Sequence, residues 1–388
     1  MFHKLVMITF LTYYVNAEDN ILEDRRLDFL GLAKKYGLLC EAHEVITEDD
    51  YILKIFHIPG DKTRPVLLVH GIIDTGDAFI IRGNSSLTVA LVRKGYDVWI
   101  GNTRGNEYSR RHQRLNPDVD KEYWNFSFHE IGVWDLASKI DYVLNKTGQI
   151  QISFIGHSQA TTAFFALASI RPVYNKKIKI FIALAPIAFL HHLDSSPMRE
   201  GLLAWPYINY FFTKINKEEI LGKKSLEKYV FKLLCSQKNA YEWCVKGLMM
   251  PINGYDLQEM EPEFWYVLLG HYPSATSLKS LSHYQQIWTK RKFCQMDYNE
   301  YRNLALYNSS EPPDYDLSKV TTKVALVAAP NDRMSRIEGV KYLKQFLPNV
   351  VDFIVLGHKT ANHLDFTYGK HMHLYLFPHI MKLLEKYI

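Results

Sequence analysis

Ser158 stands in Gly156-His157-Ser158-Gln159-Ala160, the one match in the chain to Gly-x-Ser-x-(Gly/Ala). The apolar run before it and the alanine- and phenylalanine-rich stretch to Ile170 after it predict a strand, a sharp turn carrying the serine, and a helix. Small residues at 156 and 160 let strand and helix approach, so the turn can hold the hydroxyl in a strained conformation above a sheet edge. The helix N-terminus then faces any oxyanion formed there. That chemistry is acyl transfer through a serine nucleophile. A serine hydroxyl needs a base to take its proton, and the imidazole that serves needs a carboxylate to fix its tautomer and stabilise its charged form.

Those partners must come from the ends of other strands. Apolar runs at Tyr51–Ile58, Pro65–Val69, Tyr96–Ile100, Ile150–Ile155, Ile178–Ala185, Lys323–Ala328 and Val350–Leu356 read as strands, with helical patterns between most of them. Continuous apolar strands alternating with helices predict an α/β fold with a mostly parallel sheet covered on both faces. Residues 127–146 form one predicted helix, with Ser127 and Glu130 as a capping box and Gly148 ending it. Asp332 follows the strand Lys323–Ala328, at the edge where a carboxylate partner belongs; Asp352, inside a strand, and Asp365, beyond the histidine, compete less well. His363 and His358 both follow the last strand, and position alone does not choose between them. For the oxyanion, the N–H of Gln159 is the first candidate donor and that of Ile72, just after His70-Gly71, the second.

Between about Ile187 and Ser310 the alternation stops, which reads as an inserted cap. Within it, Ser225 could start a helix with Leu226, Val230, Leu233 and Leu234 on one face, preceded by the apolar Trp205–Phe212. That face either packs against the core or belongs to a lid that meets lipid. The domain plan is therefore a leader at 1–17, a core at 18–186, the cap at 187–310 and the rest of the core at 311–388.

The other chemistries find little support. A formal net charge of +5 over 388 residues, with dispersed basic residues, gives no nucleic-acid signature. The sixteen histidines form no His-x-x-x-His or His-Glu-x-x-His set, and no metal or organic cofactor is expected. Residues 1–17 read as a cleavable signal peptide, and no later segment reads as a transmembrane anchor, so the expected destination is secretion, with a lysosome-like compartment as the alternative. Sequons at Asn84, Asn125, Asn145 and Asn308 suit that route. Of the four cysteines, Cys235 and Cys244 are close enough to close a short loop, while Cys40 and Cys294 either pair or stay free.

The chain resembles the acid lipase family that includes gastric and lysosomal acid lipases, especially the insect lipase 3-like members, from about Ala42 to the C-terminus. The likeness rests on His43-Glu44-Val45-Ile46-Thr47-Glu48-Asp49-Asp50-Tyr51-Ile52-Leu53, His70-Gly71, the stretch from Gly95 to Asn106 with Asn102-Thr103-Arg104-Gly105-Asn106, Gly156-His157-Ser158-Gln159, His271-Tyr272-Pro273, and His363-Leu364-Asp365-Phe366. The resemblance implies the α/β-hydrolase fold and a triad at Ser158, Asp332 and His363, which separates His363 from His358. It also implies oxyanion donors at Ile72 and Gln159, a lid-bearing cap and a Cys235–Cys244 disulfide. The implied activity is hydrolysis of neutral lipid esters, triacylglycerols and steryl esters, at an emulsion or membrane surface. Rival readings are a carboxylesterase for small soluble esters and a catalytically impaired lipid-binding protein. The chain departs from the family pattern at Ala160 and Asp50, each in place of glycine, at Ala328-Ala329-Pro330 in place of an upstream glycine pair, and at Gly339 in place of an acid.

Overall fold

The computed structural model describes residues 23–237 and 239–387; the expected signal peptide at 1–17 lies outside them. In chain order the strands are β1 (Glu41–Ile46), β2 (Tyr51–Ile58), β3 (Asp61–Val69), β4 (Tyr96–Gly101), β5 (Arg111–His112), β6 (Ile152–His157), β7 (Ile178–Leu184), β8 (Glu219–Ile220), β9 (Thr276–Ser277), β10 (Val324–Ala328) and β11 (Val350–Val355). Nine of them make one sheet in the order β1-β2-β4-β3-β6-β7-β10-β11, with β5 added against β2, while β8 and β9 pair separately. The first strands are antiparallel, and from β4 to β11 every pairing is parallel.

The pleat explains why the central strands read as unbroken apolar runs. Leu67 and Val69 of β3 enter the core on one face, with Ile140 and Val143 of the helix Ala137–Thr147 and Phe164 and Phe165 of the helix Gln159–Ile170. Val66 and Leu68 enter the core on the other, with Phe29, Leu87, Leu91, Ile380 and Leu383 from the helices Phe29–Lys35, Leu87–Arg93 and Phe377–Lys386. Both faces are thus covered, and both kinds of position must be apolar.

The expected strands match closely, with one shift that matters: β6 runs over Ile152–His157 rather than 150–155. Ile150 is exposed, whereas Gly156 and His157 continue the parallel ladder opposite Ala183 and Leu184. The strand therefore carries Ser158 to the sheet's edge. β1 went unread because it is an edge strand with one buried side chain, Val45.

The helix expected over 127–146 is present but not uniform. Ser127 and Glu130 form the capping box, and Gly148 ends the helix at φ 71. Between them Ile131–Leu136 is a π-helical turn. Such a turn shifts the side chains that follow it, and here Asp135 accepts hydrogen bonds from the Arg104 N–H (2.8 Å) and Nε (2.7 Å). Gly132 in the same turn lies against the next helix so closely that a Cβ there would stand 2.2 Å from the Ala163 carbonyl oxygen.

Between β7 and β10 the chain is mainly helical, with helices at Ser196–Lys214, Leu226–Cys235, Tyr241–Met249 (π-helical), Pro262–His271, Leu278–Lys290 and Glu300–Tyr307. Part of this segment packs around Trp265, Met249, Met250, Met260 and Leu268, in a core it shares with Ala78, Ile81, Leu364 and Tyr368 of the body. Cys235 and Cys244 are joined by a disulfide. Arg82 ties this segment to the body, reaching Glu261 Oε1 (2.7 Å) and the carbonyls of Tyr368 (2.6 Å) and Glu259 (2.5 Å). Cys40 and Cys294 are unpaired and pack on opposite faces of the sheet. All four sequon asparagines are exposed, and no helix among the described residues is long and apolar enough to cross a membrane.

Candidate active site

The turn between β6 and the helix Gln159–Ile170 holds Ser158 at φ 51, a conformation that a residue with a Cβ adopts only under strain. Its N–H donates to the Leu184 carbonyl (3.0 Å), and its carbonyl accepts from the Thr161 N–H (2.8 Å) and hydroxyl (2.6 Å). The strained turn is thus pinned from both sides. Ala160 is accommodated because it faces Gly156: a Cβ on Gly156 would lie 3.2 Å from the Ala160 Cβ, so glycine at 156 makes room for the methyl at 160.

Three residues separated by long stretches of chain meet here. His363 Nε2 lies 2.9 Å from Ser158 Oγ, and His363 Nδ1 lies 2.8 Å from Asp332 Oδ2. All three are at least 95% buried, with Ser158, Asp332 and His363 exposed by 3%, 1% and 4%. Asp332 follows β10 by a short turn, and its Oδ1 accepts the N–H groups of Met334 (2.8 Å) and Ser335 (2.7 Å). That leaves Oδ2 for the imidazole, which then carries its proton on Nδ1 and presents Nε2 as the acceptor for the serine hydroxyl. The unusual Ala328-Ala329-Pro330 lead-in still makes this turn, with the Asp332 N–H donating to the Ala329 carbonyl (3.3 Å). Behind His363, His157 Nε2 donates to the His363 carbonyl (3.1 Å); burial, with His363 alongside, drives the His157 pKa well below the usual value, so it stays neutral.

The loop after β3 runs beside the serine. A Cβ on Gly71 would sit 3.3 Å from the Ser158 Cβ, and Ile72 lines both cavities that Ser158 lines. His70 holds this loop. Its Nδ1 donates to the Gly71 carbonyl (2.8 Å), while Nε2 accepts from the Thr103 N–H (3.2 Å) and from Asn106 Nδ2 (3.0 Å). Burial lowers the His70 pKa to about 4, consistent with this neutral tautomer. Asn102 Oδ1 in turn accepts from the Gly76 N–H and from Asn106 Nδ2, each at 2.9 Å. The stretch 102–106, which sequence reading used only as a likeness, is therefore the frame of the loop after β3. Two amides four residues apart after a buried strand were the available signal.

The competing residues are engaged elsewhere. His358 Nε2 bonds to the Asp256 carboxylate, which also accepts from the Thr360 hydroxyl (2.8 Å). Asp365 accepts from the Asn362 N–H (2.7 Å) and shapes the loop bearing His363. Asp50 adopts φ 70 in its turn, and its carboxylate meets Arg114. Among the described residues, Glu41, His43 and His57 bring three ligand-type atoms within 4.8 Å of one another, on β1 and β2 and not in the walls of the Ser158 cavities.

Two cavities open from the serine. One, about 260 Å³, is walled by Leu190, Leu202, Trp205, Ile208 and other apolar side chains. The second, about 270 Å³, is bounded by His363, Leu248, Phe231, Tyr272 and Tyr368, with Asp74. Ser158, Ile72, Met198, Leu281 and Met334 border both. The two cavities thus meet at Ser158.

Comparison with known proteins gives the family of this fold. The family described as alpha/beta hydrolase fold matches residues 64–366, and the one described as partial alpha/beta-hydrolase lipase region matches residues 30–83. The chain is 34% identical to Lipase 1 of Drosophila melanogaster over 95% of its own length and 82% of that protein. It is likewise 34% identical to Lipase 3 of Drosophila melanogaster, over 90% of this chain and 91% of that protein. Gastric triacylglycerol lipase of Rattus norvegicus is 34% identical over 86% of this chain and 85% of that protein. Among solved structures, a soluble variant of monoglyceride lipase from Saccharomyces cerevisiae superposes with a TM-score of 0.53 at 16% identity, covering 89% of this chain and 94% of that one, a likeness of fold. By its fold and by its identity to named lipases across most of its length, the chain belongs to the α/β-hydrolase lipase family.

Proposed function

We propose that this protein hydrolyses esters of neutral lipids, the acylglycerols with triacylglycerols among them and steryl esters as a second class, through an acyl-enzyme on Ser158. The observation that carries this reading is the hydrogen-bonded series Ser158–His363–Asp332 opening between two largely apolar cavities. Ser158 Oγ attacks the ester carbonyl while His363 Nε2 takes its proton, and Asp332 stabilises the imidazolium that forms. The N–H groups of Ile72 and Gln159 hold the oxyanion. Collapse breaks the ester C–O bond and the departing alkoxide takes the proton from His363. Water then repeats the sequence on the acyl-enzyme and releases the fatty acid.

Residues 187–310 serve as the cap, and the helix Leu226–Cys235 is its lid. That helix turns Leu226, Val230, Leu233 and Leu234 outward, with exposures of 72%, 41%, 51% and 62%. An apolar helix face left in water is suited to contact with a lipid surface. The leader at 1–17 and the four exposed sequons fit secretion with N-glycosylation, and delivery to a lysosome uses the same route.

The test is the rate on a short-chain triacylglycerol as its concentration crosses the solubility limit. A rise on appearance of the emulsion supports the lipase reading. Saturation below the limit with no further rise identifies an esterase for soluble substrates.

A further inference from the structure

Of the two cavities at Ser158, the one beside His363 contains the single carboxyl found in either wall among the described residues, Asp74. It follows the oxyanion-side loop by two positions and is 5% exposed. Both of its protein donors, the Thr75 N–H and the Tyr368 hydroxyl, go to Oδ1, each at 2.7 Å. Oδ2 has no hydrogen-bond partner among the described residues, and no cation pairs with the group: neighbouring His271 is bonded instead to Asp77 Oδ2 (2.7 Å). Burial accordingly raises the Asp74 pKa to about 7.

The backbone beside it is also unusual. Ile73 sits at φ 53, a left-handed conformation costly for a β-branched side chain, and its carbonyl is held by the Ser274 N–H (2.7 Å). A strained turn that ends in a buried carboxyl with a free acceptor oxygen, inside a substrate cavity, points to a ligand group. The opposite cavity, walled by Leu190, Leu202 and Trp205, contains no charged side chain and suits the acyl chain. The Asp74 cavity is then left for the alcohol part of the ester.

We propose that Asp74 recognises a free hydroxyl on the alcohol side of the substrate, so that partly acylated glycerols are preferred over esters whose alcohol has no second hydroxyl. This deepens the ester-hydrolase reading above and rests on it. A hydroxyl suits the group in either protonation state, since it donates to a carboxylate and accepts from a carboxylic acid. A simple alkyl or sterol ester leaves Oδ2 without a partner.

The experiment compares kcat/KM for the 1-glyceryl and propyl esters of one fatty acid, in the same detergent micelles, using the full-length protein and its Asp74→Ala and Asp74→Asn variants. The parent is expected to favour the glyceryl ester by about tenfold, the discrimination one such hydrogen bond supplies. Asp74→Ala abolishes that preference, and Asp74→Asn restores most of it. Labelling of Ser158 by a fluorophosphonate checks that each variant is folded. If Asp74→Ala does not fold, the parent's preference and the Asp74→Asn variant decide. An equal rate on both esters by the parent, or an equal loss on both in Asp74→Ala, overturns the proposal. A folded, labelled parent that turns over neither ester overturns the ester-hydrolase reading beneath it.

Discussion

Gly71 and Ser158 approach so closely that a Cβ added to the glycine would lie 3.3 Å from the serine Cβ and 3.2 Å from His157 Nδ1. The two residues follow parallel neighbours, β3 and β6, and meet just past the sheet's C-terminal edge. Neither contact atom is the end of a flexible side chain, so the loop must give way. Gly71→Ala is expected to push the Ile72 N–H away from the oxyanion position and lower kcat by about 10²-fold. Steady-state rates on a soluble p-nitrophenyl ester measure this; an unchanged kcat would remove Ile72 from the oxyanion role.

Asp332→Asn keeps an acceptor for the Met334 and Ser335 N–H groups, so the turn survives. It loses the carboxylate that sets the His363 tautomer. A fall in kcat of about 10⁴-fold is expected, with little change in Tm. A fall under tenfold would assign His363 another partner.

The outward face of the helix Leu226–Cys235 adds almost nothing to the folded core, because its leucines are exposed. Combined Leu226→Ser, Leu233→Ser and Leu234→Ser substitution is therefore expected to leave Tm unchanged. It should reduce hydrolysis of emulsified triacylglycerol by about tenfold or more, given the apolar area withheld from the lipid. Parallel assays on an emulsion and on a soluble ester check this. A proportional fall on both would place the face in the active-site structure instead of at the lipid.

His271 lies between two acceptors, Asp77 Oδ2 through Nδ1 and the Asp24 carbonyl through Nε2, each at 2.7 Å. Both nitrogens must carry protons. Burial alone would lower its pKa, but the hydrogen bond and charge of Asp77 outweigh burial and raise it. A histidine whose folded pKa exceeds its unfolded value of about 6.5 contributes stability fully below that value and loses it as pH rises through the folded pKa. The prediction is a Tm that declines on the alkaline side of neutrality, with a shallower decline in His271→Gln. Melting curves across pH 5–9 would show it, and identical slopes in parent and variant would contradict it.

The parts of the fold legible in the sequence are those in which burial is two-sided. β3, β4, β6, β7 and β10 read as apolar runs because both faces are covered, whereas β1 is an exposed edge strand and left no run. Ser158 and Asp332 were legible because each sits just past such a run. His363 and His358 follow the same strand, and what separates them is a contact of His358 with Asp256, 102 residues away. The His70 frame was hidden for the same reason, as its partners Thr103 and Asn106 lie 33 and 36 residues on. The π-helical turn at Ile131–Leu136 is buried at every position but Trp134, so no exposed face marks its extra residue in the sequence.

Fatty-acid release from emulsified long-chain triacylglycerol by the purified protein, compared with its Ser158→Ala variant, tests the central assignment most directly. Removing the hydroxyl deletes no packing that the fold depends on, so the variant should fold as the parent does. Release by the parent and a loss of at least about 10⁴-fold in the variant is the predicted result. Comparable release by both proteins would contradict the assignment of Ser158 as the nucleophile.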